Sequence, residues 1–145
     1  MGSYYECSVY ISTSVRPKDR ERAEKCVLNA TIPVLAEMGD SYTYEELAKK
    51  LESSECGEGE NKRVDIYLCV DDLHYNPGWD IDADVKVQEL AEQIAKKLNK
   101  LPLWDGSVCI PGYWYDRDPD ISGYVRLPQE KNRVAPGQKK VGITP

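Results

Sequence analysis

Phenylalanine is absent from the 145 residues, histidine occurs once (His74), and none of the five cysteines forms a C-x-x-C pair. A zinc site built from the usual histidine and cysteine ligands is therefore not expected. The cysteines (Cys7, Cys26, Cys56, Cys69, Cys109) are odd in number and widely spread. They read as reduced thiols of a cytoplasmic protein, not as a disulfide framework. No apolar run approaches the roughly 20 residues of a membrane span, and the first residues lack the basic start and hydrophobic stretch of a secretory signal. Neither G-x-G-x-x-G nor a P-loop is present, which excludes the standard modes of nucleotide binding. There is no G-x-S-x-G elbow, and no cysteine neighbours the histidine in sequence, so nucleophilic catalysis by serine or cysteine has no support.

What is abundant is acid and tyrosine. The net charge is -6, with ten Tyr and three Trp standing where phenylalanine is missing. Residues 51–85 carry ten acids against Lys62 and Arg63, a local balance of -8, whereas the last twenty carry five bases against Glu130, or +4. An acidic body repels phosphates at long range, so the expected partner is a basic protein surface or a cation and not nucleic acid. Tyr and Trp combine large contact area with a polar tip and are enriched at binding surfaces.

Alternation of Tyr5, Cys7, Val9 and Ile11 with Glu6, Ser8, Tyr10 and Ser12 predicts a half-buried strand. Pro17 opens a helical stretch through Met38, with a break or kink expected before Pro33. Thr43 and Glu46 stand at capping-box spacing at the start of a short helix. Residues 52–61, acidic and glycine-punctuated, read as a loop. Val64, Ile66, Leu68 and Val70 alternate with Asp65, Tyr67, Cys69 and Asp71 in a second strand. The clearest helix follows, with Val87, Leu90, Ala91, Ile94, Ala95, Leu98 and Leu101 on one face. Its acids lie at the N-terminus and Lys96, Lys97 and Lys100 at the C-terminus, matching the helix dipole. A strand at 108–110, a Pro111-Gly112 break, and a hairpin of Tyr113–Tyr115 with Tyr124–Leu127 around a loop at 116–122 complete the domain.

These elements predict one α+β domain over residues 1–128 and a flexible basic tail over 129–145. The expected sheet is mixed or antiparallel, of about four strands, with helices on one face. A ferredoxin-like arrangement is the nearest template, by analogy of element order.

Two aspartate triplets, Asp80-x-Asp82-x-Asp84 and Asp116-x-Asp118-x-Asp120, are the strongest candidate site motif. Neither completes an EF-hand loop: Val85 and Ile121 stand where glycine is required. The first triplet caps the free N–H groups of the following helix, and the second has the composition of a solvated turn. Asp71 and Asp72 close a strand beside His74, which either could orient as a general base; a lone histidine among acids reads first as passive. In Tyr113-Trp114-Tyr115, a strand would turn Tyr113 and Tyr115 to one face and Trp114 to the other.

Asp80-x-Asp82-x3-Lys86, at a helix start after a strand and followed by Trp104-Asp105, resembles part of the acidic motif of phage-type Holliday-junction resolvases. The resemblance covers about a third of the chain and departs from the family at Ala83, where Asn is expected, and at Asp105, a single acid where two are. It implies a Mg²⁺-dependent structure-selective endonuclease with Asp80, Asp82 and Asp105 as metal ligands and Lys86 beside them. A purely structural Ca²⁺ loop is a third alternative.

The favoured expectation needs no cofactor. It is a small acidic binding module, an inhibitor or neutralising partner that occludes a basic macromolecular surface. Its binding residues would be Asp71, Asp72, Asp80, Asp82, Asp84, Tyr113, Trp114, Tyr115, Asp116 and Asp118.

Overall fold

A computed structural model describes residues 5–76, 82–114 and 117–128, with Tyr5, 83–84, 113–114 and 117–121 described by backbone alone. Strand β1 (Tyr5–Val15) leads through a 3-10 turn at Pro17–Asp19 into α1 (Arg20–Glu37) and the short α2 (Tyr44–Ala48). Strands β2 (Leu51–Cys56) and β3 (Arg63–Tyr75) precede α3 (Ala83–Leu98), and β4 (Asp105–Trp114) and β5 (Arg117–Leu127) follow it. All five strands form one antiparallel sheet in the order β2-β3-β1-β4-β5.

The α+β class is as the sequence predicts, with one strand more. β3 lies between β1 and β2, and β1 between β3 and β4. The ferredoxin-like arrangement, expected by analogy of element order, is not established, and β5 has no place in a four-strand template.

Alternation decides which face is core. Val9 and Ile11 of β1, Val64, Ile66, Leu68 and Val70 of β3, Val108 and Ile110 of β4, and Val125 and Leu127 of β5 are all buried. Against that face pack α1, over β1 and β3, and α3, over β4 and β5. Helix α3 contributes the stripe expected of it, Val87, Leu90, Ala91, Ile94, Ala95 and Leu98, all fully buried. Lys86 ties the layer together through a 2.7 Å ion pair with Glu37 at the end of α1.

Several local expectations change. Helix α1 runs through Pro33 without interruption. Asn29 and Pro33 both lie on its exposed side, so water can satisfy the carbonyl that Pro33 leaves without a donor. The capping box of α2 forms as predicted: Thr43 N–H donates to Glu46 at 2.9 Å, and Glu46 N–H to the Thr43 hydroxyl at 3.1 Å. The first half of the expected acidic loop, 52–56, is instead the edge strand β2, while 57–61 remain a connection with a 3-10 turn at Gly59–Asn61. The exposed Glu52 and Glu55 of β2 are the charges with which a sheet edge resists pairing with another chain.

Pro111-Gly112 is not a break but lies inside β4. Bonded pairing with β1 skips from Cys7↔Gly112 to Tyr10↔Cys109, so Pro111 sits where its missing N–H matters least. A side chain at Gly112 would collide with the Glu6 carbonyl and Cys7. The predicted loop at 116–122 is correspondingly reduced, because 117–122 belong to β5. Residues 129–145, the predicted tail, lie outside the described residues. No helix among the described residues is long and apolar enough to cross a membrane.

Thr13 of β1 carries a penalty. It is fully buried, and its hydroxyl has no hydrogen-bond partner among the described residues. Thr13→Val keeps the shape and removes the desolvated hydroxyl, so it is expected to stabilise the fold by about 1 kcal/mol. Urea unfolding of the two proteins measures this, and a lower midpoint for the valine variant would contradict it.

Candidate functional site

With both long helices on one face, no helix among the described residues covers the other face of the sheet. Register sets them in rows, because directly paired residues share a face. One row reads Glu52, Tyr67, Ser12, Ser107 and Arg126 across all five strands. The next reads Cys69, Tyr10, Cys109 and Tyr124, and a third reads Ser54, Asp65, Ser14 and Asp105, of which Ser14 is buried. Tyr67 is 42% exposed and Tyr124 53%; the third exposed large apolar side chain among the described residues is Val85 of α3, at 55%. The open face is thus a serine- and cysteine-lined surface set with tyrosines and bordered by carboxylates.

Asp71 belongs to this face by alternation with the buried Val70, and a β-bulge interrupts the strand just after it. Pairing between β1 and β3 shifts register between Cys7 and Val9, so the segment between Val70 and Leu73 holds one residue more than β1 does opposite it. Asp72 takes φ 62, the left-handed region that aspartate tolerates better than most residues. The extra residue resets the alternation, and Leu73 and Tyr75 are buried where Asp71 and Asp72 are exposed. The strand therefore does not end at Asp71, as the sequence suggests; it turns in phase there.

Three donors converge on the Asp71 carboxylate. The Ser8 hydroxyl donates to Oδ1 at 2.9 Å, the Tyr10 hydroxyl to Oδ1 at 3.3 Å, and the Cys69 thiol to Oδ2 at 3.4 Å. Ser8, then Cys69 and Tyr10, hold the carboxyl below its ordinary value of 3.8, with Lys50 adding a smaller attraction. The bonds so made are fully present above the ordinary value, where an unfolded chain also carries the charge. They are lost as the pH falls through the depressed folded value. An NMR titration of the Asp71 carboxyl should show a midpoint below 3.8 that rises in Ser8→Ala. Equal midpoints in the two proteins would contradict this geometry.

Cys7, Cys69 and Cys109 are not activated. Burial, followed by the Glu6 charge, pushes Cys7 up to about 12. Desolvation is also the largest cause raising Cys69 and Cys109, with the bond to Asp71 adding to it at Cys69. That is the direction opposite to a nucleophilic cysteine.

The other predicted site residues are dispersed. Asp80, Tyr115 and Asp116 lie outside the described residues. Asp82 is exposed just before α3, and its carbonyl accepts the Lys86 N–H at 3.0 Å. Asp84 falls in the first turn of α3 and Asp118 in β5. Tyr113 and Trp114 form the end of β4, opposite Glu6 and Tyr5 of β1. His74 is exposed and opposite Glu6, whereas the Asp71 carboxylate is turned to Ser8, Tyr10 and Cys69.

Asp82 and Asp105 are not brought together. The whole of α3 separates them, about 24 Å at 1.5 Å per residue. Asp105 pairs with Ser14 at one end of β1, and β3 departs toward Asp82 from the other end, where Tyr75 pairs with Tyr5. Lys86 is engaged by Glu37.

Sequence reasoning chose the Tyr113–Tyr115 cluster and passed over Tyr10, Tyr67 and Tyr124. Their signal was present: Tyr10 and Tyr67 occupy the polar phase of two strands whose other phase is core. No protein-family model matches the chain, and neither a curated protein nor a solved structure matches it significantly.

Proposed function

We propose that the protein is a binding module that engages a basic protein surface through the open face of its sheet. The observation that carries this reading is the sheet face that no described helix covers, with Tyr10, Tyr67 and Tyr124 in adjoining rows among Glu52, Asp65, Asp71 and Asp105. Carboxylates at the border steer an incoming cationic surface and set its register. Tyrosine rings then take arginine or lysine side chains on their faces, and the short serines let a partner approach the sheet closely. Arg63, held by Asp65 at 3.4 Å, and Arg126 are the arginines of this face, against the four carboxylates. The mechanism is occlusion, as in an inhibitor or neutralising partner.

An amide NMR titration with an arginine-rich peptide tests this. Saturable shifts are expected at Tyr10, Ser12, Tyr67, Cys69 and Tyr124, weakening with added salt. Single-stranded nucleic acid would stack on the same tyrosines but would meet the carboxylates. Shifts on the sheet with an oligonucleotide and none with the peptide would contradict the reading.

A further inference from the structure

A second candidate site lies on the opposite side of the molecule, in the helix layer. A cavity of about 280 Å³ opens between α1 and α3. Pro33 of α1 makes its apolar wall over the buried Ala30 and Val34, and Gln93, Lys96 and Lys97 of α3, with Lys100 just past its end, make its polar rim. The spacing explains the grouping. Residues at i, i+3, i+4 and i+7 share one helical face, here the flank of the buried stripe. None of the ion pairs among the described residues involves Lys96, Lys97 or Lys100. Arg22 adds to this region, donating to the Lys100 carbonyl at 3.5 Å. A chain of net charge -6 thus gathers three unneutralised ammonium groups around an apolar hollow.

Favourable placement of lysines near a helix C-terminus accounts for cations at Lys96 and Lys97. It does not account for the hollow they surround. At about 30 Å³ per water in the liquid, the hollow matches the volume of roughly nine waters, room for a small organic molecule. We infer that this cleft binds a small organic anion with an apolar body, such as a medium-chain carboxylate. The chain or ring would lie on Pro33 and the lysine stems above Ala30 and Val34, and the carboxylate would be met by Lys96, Lys97 and Lys100. The inference is independent of the open sheet face, since none of these residues belongs to it.

Octanoate is the probe, titrated into the full chain and followed by amide NMR, with octanol and octylamine as the neutral and cationic counterparts. Expected are saturable shifts confined to residues 30–34 and 93–100, with octanol and octylamine at least roughly tenfold weaker. Lys96→Gln with Lys100→Gln, both exposed positions, should weaken octanoate by roughly tenfold or more without changing the melting temperature. No saturable shift up to millimolar octanoate would overturn the inference. Equal binding of octanol would overturn it too, leaving only a generic apolar crevice. A third contrary result is an acidic amphipathic peptide that shifts these residues at lower concentration than octanoate, which would make the cleft a protein-docking groove.

Discussion

Replacing Gly123 by alanine is expected to destabilise the protein by about 1–3 kcal/mol, a loss of roughly 3–10 °C in melting temperature. Gly123 lies on β5 where α3 passes over the sheet. A Cβ there would stand 2.6 Å from the Val87 carbonyl oxygen and 2.9 Å from its carbon. Both obstacles are backbone, so no rotamer change relieves the clash, and helix and strand must separate. The separation would also loosen the side-chain amide of Gln88, which accepts from Tyr124 N–H at 2.8 Å and donates to the Tyr124 carbonyl at 3.1 Å. That pair of bonds occupies backbone groups of an edge strand that would otherwise be open to another chain. Because Tyr124 is one of the exposed rings of the open face, damage at Gly123 should carry into binding as well as stability. Calorimetry on the two proteins decides it; an unchanged melting temperature would mean that α3 does not rest on β5.

The second large effect concerns binding alone. Tyr67→Ala together with Tyr124→Ala is expected to weaken the complex with a basic partner by about 2 kcal/mol or more, roughly thirtyfold in Kd. Aromatic anchors at the centre of an interface carry a disproportionate share of its energy, while border charges act more on the rate of encounter. Both rings are well exposed in the free protein, so folding should change by no more than about 0.5 kcal/mol. The affinity of the doubly substituted protein for an arginine-rich peptide, by calorimetry, reports the loss. Affinity within a factor of about two of the wild type would remove the tyrosines from the account.

Strands β1 and β3 and helix α3 were legible because one face of each is nearly all apolar, so period alone identifies them. β2 was not. Its sequence, Leu-Glu-Ser-Ser-Glu-Cys, offers one large apolar residue to the core and reads as loop, since an edge strand needs little burial and profits from charge. The bulge at Asp71-Asp72 could not be read either, because a two-against-one pairing is a property of the partner strand as much as of the acids. The continuity of β4 through Pro111-Gly112 depends on the same kind of information, namely which backbone groups β1 offers there.

The site was legible only in fragments. The acidic, tyrosine-rich character of the chain was plain, and Asp71 was among the residues it pointed to. Tyr10, Tyr67 and Tyr124 come from three strands far apart in sequence, and only the order β2-β3-β1-β4-β5 sets them in neighbouring rows. The aspartate triplets attracted attention by spacing, yet what gives Asp71 its environment is three donors, Ser8 and Tyr10 from β1 and Cys69 from its own strand.

The central claim, that the open sheet face is the binding surface, is tested most directly by photocrosslinking in cells that make the protein. A benzoylphenylalanine in place of Tyr67 or Tyr124 samples that face, and one in place of Val85, equally exposed on α3, samples the helix layer. The account predicts an adduct with one basic protein from positions 67 and 124 and none from 85. An adduct from 85 with none from 67 and 124 would contradict it.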